Sequence, residues 1–207
     1  MDPLFYLYFV LVSMKKRIVV VFDFDGTLIK GDTFIDFVRF SRGDYCFLKG
    51  LILNSFYLIG YKLGLYPNWK AKERLFYYYF KGLSFDTFQN LGRAYASEIK
   101  FNPSQLKVLK KHQSEGADIY VITASIEEWV IPYCETLNIR NVLGTKIEVK
   151  DGYLTGYFSS KNCFGIEKVN RFLEVEPNRD TYFLYAYGDS RGDDEIIAFS
   201  DIGCKVK

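Results

Sequence analysis

The chain has 207 residues, enough for one core domain carrying an insert but not for two full domains. Apolar residues make up 49% and charged residues 25%, which is too apolar for a disordered chain. The 27 Lys and Arg against 25 Asp and Glu leave a net charge of +2, without the basic surplus that general nucleic-acid binding requires.

A single histidine, His112, argues against His-based catalysis and against a His-rich metal site, so hydrolytic chemistry in this chain is expected to run on carboxylates. Four cysteines, at 46, 134, 163 and 204, form no CxxC pair and read as reduced thiols of a cytosolic protein.

Residues 3–12, PLFYLYFVLV, form an apolar run preceded by Asp2 and followed by Lys15, Lys16 and Arg17, the reverse of a signal peptide's charge order. The run is also far short of the ~20 residues of a membrane span. Met14 opens MKKRIVVVFDFDGT, so residues 1–13 read as a loose tail or an over-called start, with a short membrane-surface anchor as the rival reading.

From Arg17 the sequence runs IVVVF into DFDGTL, a buried parallel strand leading into a loop. Between Gly31 and about Phe101 the pattern becomes helical: FIDFVRFSR, FLKGLILNSFYLIGYKLG, WKAKERLFYYYFKG and FDTFQNLGRAYASEI, broken at Gly43, Gly64 with Pro67, and Gly82. NPSQLKVLKKHQSEG follows as a helix, with Asn102 or Ser104 as cap, Pro103 in the first turn and Gly116 as stop.

DIYVITAS (118–125) is a second buried strand, and KIEVKDGYLTGYF (146–158) a hairpin turning at Asp151-Gly152. CFGIEKVNRFLEVE is a helix, TYFLYAYGDS (181–190) a third strand, and DIGCKVK a short closing strand. Strands alternating with helices predict an α/β domain, a doubly wound parallel sheet with right-handed crossovers, whose ligands bind beyond the carboxyl ends of the strands. DFDGT, TAS and GDSRGDD all fall at those ends. The domain organisation expected is a core of 14–30 plus 101–207 with a helical insert at 31–100.

Asp23 and Asp25 flank Phe24, and period-two geometry turns both carboxylates toward one crevice. Two buried like charges are costly without a cation between them, so the pair suggests Mg²⁺. Asp189, at another strand end, completes such a site with Asp193 close behind, and a donor set of oxygens alone favours Mg²⁺ over zinc. A carboxylate that attacks a phosphate dianion meets repulsion of ~4 kcal/mol per unit-charge pair at ~4 Å and an effective dielectric of ~20. A fixed lysine and a hydroxyl are therefore also expected. Lys168 and Thr123, at the end of the second strand, are the candidates.

Together DFDGT at 23–27, ITAS at 122–125, Lys168 in NCFGIEKV and GDSRGDD at 188–194 resemble the haloacid dehalogenase superfamily of phosphohydrolases, from Ile18 to Val206. The insert after the first motif, the hairpin EVKDGYLTG and the CxGxxK spacing are similar to its phosphoserine-phosphatase-like subfamily IB. The resemblance implies a Rossmann-like core under a helical cap and a Mg²⁺-dependent phosphatase that forms an aspartyl-phosphate. It implies Asp23 as nucleophile and Asp25 as the acid that protonates the leaving alcohol and then as the base that activates water. Thr123 and Lys168 would hold the phosphoryl oxygens, with Gly26, Thr27 and Ala124 beside them. Mg²⁺ would sit on the Asp23 side chain, the Asp25 carbonyl and Asp189, with Asp193 beside it.

The chain differs from phosphoserine phosphatases in three places. Thr123-Ala124-Ser125 replaces their usual Ser-Gly-Gly, Gly192 replaces an Asn, and Asp32 replaces the Glu that binds an amino group. Arg74 is a candidate for a substrate carboxylate.

Residues 45–80 hold 12 aromatics, read either as the insert's own core or as an apolar wall for a greasy substrate or a membrane surface. In this the insert resembles that of the bacterial phosphatidylglycerophosphate phosphatase of the same subfamily. Leu51, Phe56, Leu58 and Tyr61 would suit an apolar leaving group. The expected substrate is thus a phosphorylated small molecule, with a lipid phosphate, phosphoserine, or phosphoryl transfer to an acceptor alcohol as alternatives.

Overall fold

The computed structural model describes residues 16–206; the reading of residues 1–13 lies outside these described residues. Five strands form one parallel sheet: β1 (Arg17–Phe22), β2 (Asp118–Ile126), β3 (Asn141–Thr145), β6 (Tyr182–Gly188) and β7 (Ile202–Lys205), in the order β3-β2-β1-β6-β7. A second, two-stranded sheet pairs β4 (Ile147–Lys150) with β5 (Tyr153–Phe158) in antiparallel fashion through a turn at Asp151-Gly152. The chain is α/β with a doubly wound parallel core, as its strand–helix alternation predicts.

β1 lies at the centre, and its run of branched residues is buried on both faces. Val20 and Phe22 join one apolar cluster with Leu109, Trp129, Val130 and Tyr133, from the helices α5 (Pro103–Ser114) and α6 (Glu127–Thr136). Val19 and Val21 join the other, with Val169, Phe172 and Ile196 from α7 (Ile166–Val175) and α8 (Asp194–Phe199). Sequence reasoning assigned neither α6 nor β3. Pro132 sits inside α6 and disguises its helical pattern, and β3 is only five residues long.

The insert contains α1 (Thr33–Leu53), α2 (Ser55–Lys62), α3 (Asn68–Phe80) and α4 (Phe85–Ala96). The expected break at Gly43 is a kink within α1, where φ is +77°, and a further break falls at Asn54. The two strands of chain that enter and leave the insert run side by side, since Ile29 and Phe101 form an antiparallel bridge and Asn102 donates to the carbonyls of Leu28 and Thr27.

The hairpin packs on the insert and not on the main sheet. Leu154 exchanges backbone hydrogen bonds with Gly82 and Leu83, Phe158 N–H donates to Glu73, and the Phe158 ring lies 5.5 Å from Phe76. The helical insert and the hairpin thus act as one cap unit.

Part of the insert's aromatic set builds its own interior: Phe37 stacks on Trp129 of α6 at 4.4 Å and meets Phe80, Phe88 and Tyr95 within 5.6 Å. The joint between cap and core is tightest where α4 crosses α6. A Cβ on Gly92 would overlap the carbonyl oxygen of Glu128. Gly92→Ala is therefore expected to destabilise the protein by about 1–3 kcal/mol through overpacking, lowering the melting temperature by several degrees in a circular-dichroism melt.

Candidate active site

At the carboxyl ends of β1, β2 and β6 the sheet opens into a crevice of about 420 Å³, roofed by the insert. Asp23 follows β1 directly and its backbone N–H still donates to Tyr187 of β6 at 2.8 Å, so the strand ladder fixes it. In strand alternation it faces the same side as Val19 and Val21, where α7 packs. There Lys168, in the first turn of α7, places Nζ 2.5 Å from both Asp23 Oδ1 and Asp193 Oδ1, and all three residues are buried.

Burial drives Asp23 up, to a pKa of about 7, against the downward pull of Lys168. Burial alone would lower Lys168, yet the charges of Asp23 and Asp193 raise it, so it stays a cation. For Asp193 burial is likewise outweighed by Lys168, which holds it below the usual carboxylate range. Its other oxygen accepts from the Ser190 N–H and hydroxyl, which locks the loop after β6.

Asp25 is held from the opposite side. Its Oδ1 accepts the Thr33 N–H at 2.7 Å and its Oδ2 accepts the Ser125 hydroxyl at 2.5 Å. Behind them Trp129 Nε1 donates to Thr33 Oγ1 at 3.1 Å, and Thr33 and Ser125 share a hydrogen bond of 3.0 Å. Because the Ser125 proton goes to Asp25, the Thr33 hydroxyl donates to Ser125, and the whole chain of hydrogen bonds points at the carboxylate. Burial raises the Asp25 pKa, opposed by these donors from Ser125 and Thr33.

The carboxylates of Asp23, Asp189 and Asp193 each offer an oxygen within 4.8 Å of the others, a set that could hold a metal. Asp189 Oδ1 is buried without a hydrogen-bond partner among the described residues, which leaves it free to meet a cation. Gly26, at φ +76°, lies so close that a Cβ there would overlap the Asp189 carboxylate, so only glycine fits between the two loops. An all-oxygen set of this kind suits a hard divalent cation.

Of the residues singled out in the sequence, Asp23, Asp25, Gly26, Asp32, Thr123, Ala124, Lys168 and Asp189 all line the crevice, and Asp193 reaches it through Lys168. Thr27 does not: it is buried behind the loop with its carbonyl bonded to Asn102. Phe56 is 81% exposed on the outside of the insert, and the Arg74 guanidinium stacks 4.0 Å over the Tyr57 ring, so neither is a crevice residue. Leu58 and Tyr61 line the crevice, whereas Leu51 does not. Asp32 caps α1, accepting from Phe34 and Ile35. His112 bonds the Tyr187 hydroxyl away from the crevice, and burial pushes the Cys163 thiol to about 12, leaving it inert.

Among the crevice residues that escaped sequence reasoning, Lys72 stands out by its charge. Lys72 of α3 reaches down from the insert and donates to the Ala124 carbonyl at 2.9 Å. Burial lowers its pKa against the opposing pull of Asp25, Asp32 and Asp23. The signal was present in the sequence, because Lys72 shares a helical face with Leu75, Phe76 and Tyr79, and a lysine on an apolar face has to point at something polar.

Residues 20–195 match the family of haloacid dehalogenase-like hydrolases. The chain belongs to that family. Protein CicA of Caulobacter vibrioides is 30% identical over 190 residues, covering 90% of this chain and 84% of its own. Among solved structures, a Bordetella pertussis Tohama I protein aligns with a TM-score of 0.73 at 19% identity, over 89% of this chain and 87% of that one. A phospho-aspartyl intermediate analogue of phosphoserine phosphatase aligns with a TM-score of 0.63 at 20% identity, over 92% of this chain and 86% of that one. These structural likenesses show the fold of this haloacid dehalogenase-like chain.

If the Ser125 bond orients Asp25, Ser125→Ala loses a hydrogen bond to a charged group worth about 1.5–3 kcal/mol, and kcat should fall roughly tenfold to a hundredfold with little change in KM. Steady-state kinetics on a soluble aryl phosphate, with a matched melting curve, measures it.

Proposed function

We propose that the protein is a Mg²⁺-dependent phosphomonoesterase working through an aspartyl-phosphate on Asp23. The observation that carries this reading is the buried Asp23 carboxylate, held at the crevice floor by Lys168 and facing the unpartnered oxygen of Asp189. Asp23 attacks phosphorus while Asp25 gives its proton to the departing alcohol oxygen, and the phosphorus–alcohol bond breaks. Asp25, now ionised, takes a proton from water, whose oxygen attacks the phosphorus of the aspartyl-phosphate and frees phosphate and Asp23. Thr123, Gly26 and Lys168 surround the phosphoryl oxygens, and Lys168 keeps its charge throughout. Asp23, Asp189 and the Asp25 carbonyl would hold Mg²⁺, which supplies positive charge against the repulsion between carboxylate and phosphate dianion.

The leaving alcohol meets the roof, where Phe34, Ile35, Leu58, Tyr61 and Leu75 are apolar. An apolar leaving group gains roughly 25 cal/mol per Å² buried there, so an apolar phosphomonoester, a lipid phosphate included, fits better than a zwitterion. Phosphoserine is the second reading, favoured by one observation: Asp32 and Lys72 both line the crevice and would pair with an ammonium and a carboxylate.

Asp23→Asn is expected to lower kcat by roughly a thousandfold or more. Wild-type protein quenched in acid during turnover should carry hydroxylamine-labile phosphate, and the variant none. Chelation should silence the wild type and Mg²⁺ restore it; a chelator-resistant enzyme would contradict the metal assignment. On substrate, kcat/KM for an alkyl phosphate should exceed that for phosphoserine, and Leu58→Asp should narrow the gap. Phosphoserine as the better substrate would replace the apolar reading with the second one.

A further inference from the structure

Helix α2 has no buried residue. Its inner side gives Leu58 and Tyr61 to the crevice, while Phe56, Ile59 and Leu63, spaced i, i+3 and i+7, form an outer stripe that is 81%, 57% and 67% exposed. Ten of the twenty exposed large apolar side chains among the described residues fall between Tyr45 and Trp69. An eight-residue helix gains little from intrinsic propensity in water, and only the half-buried Leu58 packs this one against the apolar core. Its apolar outer side calls for a covering partner.

Charge says which partner. From Tyr45 to Lys72 the sequence contains no Asp or Glu, whereas Lys49, Lys62 and Lys70 are exposed. Over the whole chain the two signs are nearly balanced, at 27 against 25. Trp69, with Lys70 Nζ 5.4 Å from its ring, borders the same segment. Exposed apolar side chains in one segment with exposed lysines and a tryptophan, with acids absent, match the boundary of a negatively charged lipid surface, where the apolar groups enter the acyl region and the lysines meet the headgroups. No helix among the described residues is long and apolar enough to cross a membrane, so the contact is one of lying on the surface.

We propose that the outer face of the cap, from Tyr45 to Trp69, docks on an anionic lipid bilayer. Leu58 and Tyr61 belong to the same helix as the docking stripe, so the docked protein opens its crevice beside the lipid surface. The inference rests on the cap's exterior and is independent of the chemistry at Asp23.

The test is co-sedimentation of the full chain with vesicles of phosphatidylcholine containing a quarter phosphatidylglycerol, with pure phosphatidylcholine vesicles as control. Binding is expected to the anionic vesicles, to weaken as salt is raised, and to fall about tenfold or more in the double variant Ile59→Asp, Leu63→Asp. That variant changes two exposed side chains outside the crevice, and its hydrolysis of a soluble aryl phosphate should stay at the wild-type level, which separates failure of docking from failure of the catalytic reading. Absence of binding to anionic vesicles would overturn the proposal. A wild-type dimer in light scattering that the double variant splits would overturn it in favour of a second copy on this face. Binding that survives the double variant but vanishes in a chain begun at Met14 would overturn it in favour of the N-terminal apolar run.

Discussion

The site is organised around one buried cation shared between two buried carboxylates. Lys168 touches Asp23 and Asp193 at 2.5 Å each, and removing it would leave two buried carboxylates without their shared cation. This triad ties three elements together: β1 supplies Asp23, α7 supplies Lys168, and the loop after β6 supplies Asp193. Gly188 and Gly26 serve the same closeness, since a side chain on either would overlap Asp193 or Asp189 respectively. With Lys168 and Lys72 set among several acids, the crevice still holds more carboxylates than cations, which suits a divalent ion.

The two acids of the DFD segment, though two residues apart, live in different surroundings. Asp23 pairs with a lysine and faces the metal-type cluster, whereas Asp25 is met only by neutral donors from Thr33 and Ser125, braced by Trp129. Burial raises both acids, opposed at Asp23 by Lys168 and at Asp25 by the neutral donors Ser125 and Thr33. In the mechanism proposed above, that contrast would divide nucleophile from proton carrier without any change of residue type.

The cap is tied into this arrangement in two ways. Thr33, at the start of α1, bonds Asp25, and Lys72 of α3 bonds the Ala124 carbonyl, so the roof touches the floor on either side of the crevice. The insert leaves and returns through adjacent strands of chain bridged at Ile29 and Phe101, and a short paired connection of this kind lets a roof stay in register with its floor. The aromatic richness that stands out in the composition is divided by position: Phe37, Phe76, Phe80 and Phe88 fill the cap's interior, and Phe56 remains outside.

Local pattern determined the parallel core, because a run such as IVVVF can be buried on both faces only in the middle of an α/β sheet, and it determined that the acids of DFDGT and GDSRGDD lie at strand ends. Order along the chain also pointed to a helical insert after β1. Tertiary structure alone decided which side chains meet. Lys72 and Ala124 are brought together across 52 residues, and Ser125 and Asp25 across 100. Phe56 and Leu58 stand two residues apart on α2 yet face outside and inside, and Arg74 leans on Tyr57 when its charge alone would suit a substrate. The hairpin went to the cap and not to the sheet, because Phe158 and Leu154 find their partners on α3 and in the turn after it. Periodicity records which residues must be buried, but not against what, and the identity of the partner is set by packing over distances that no local pattern encodes.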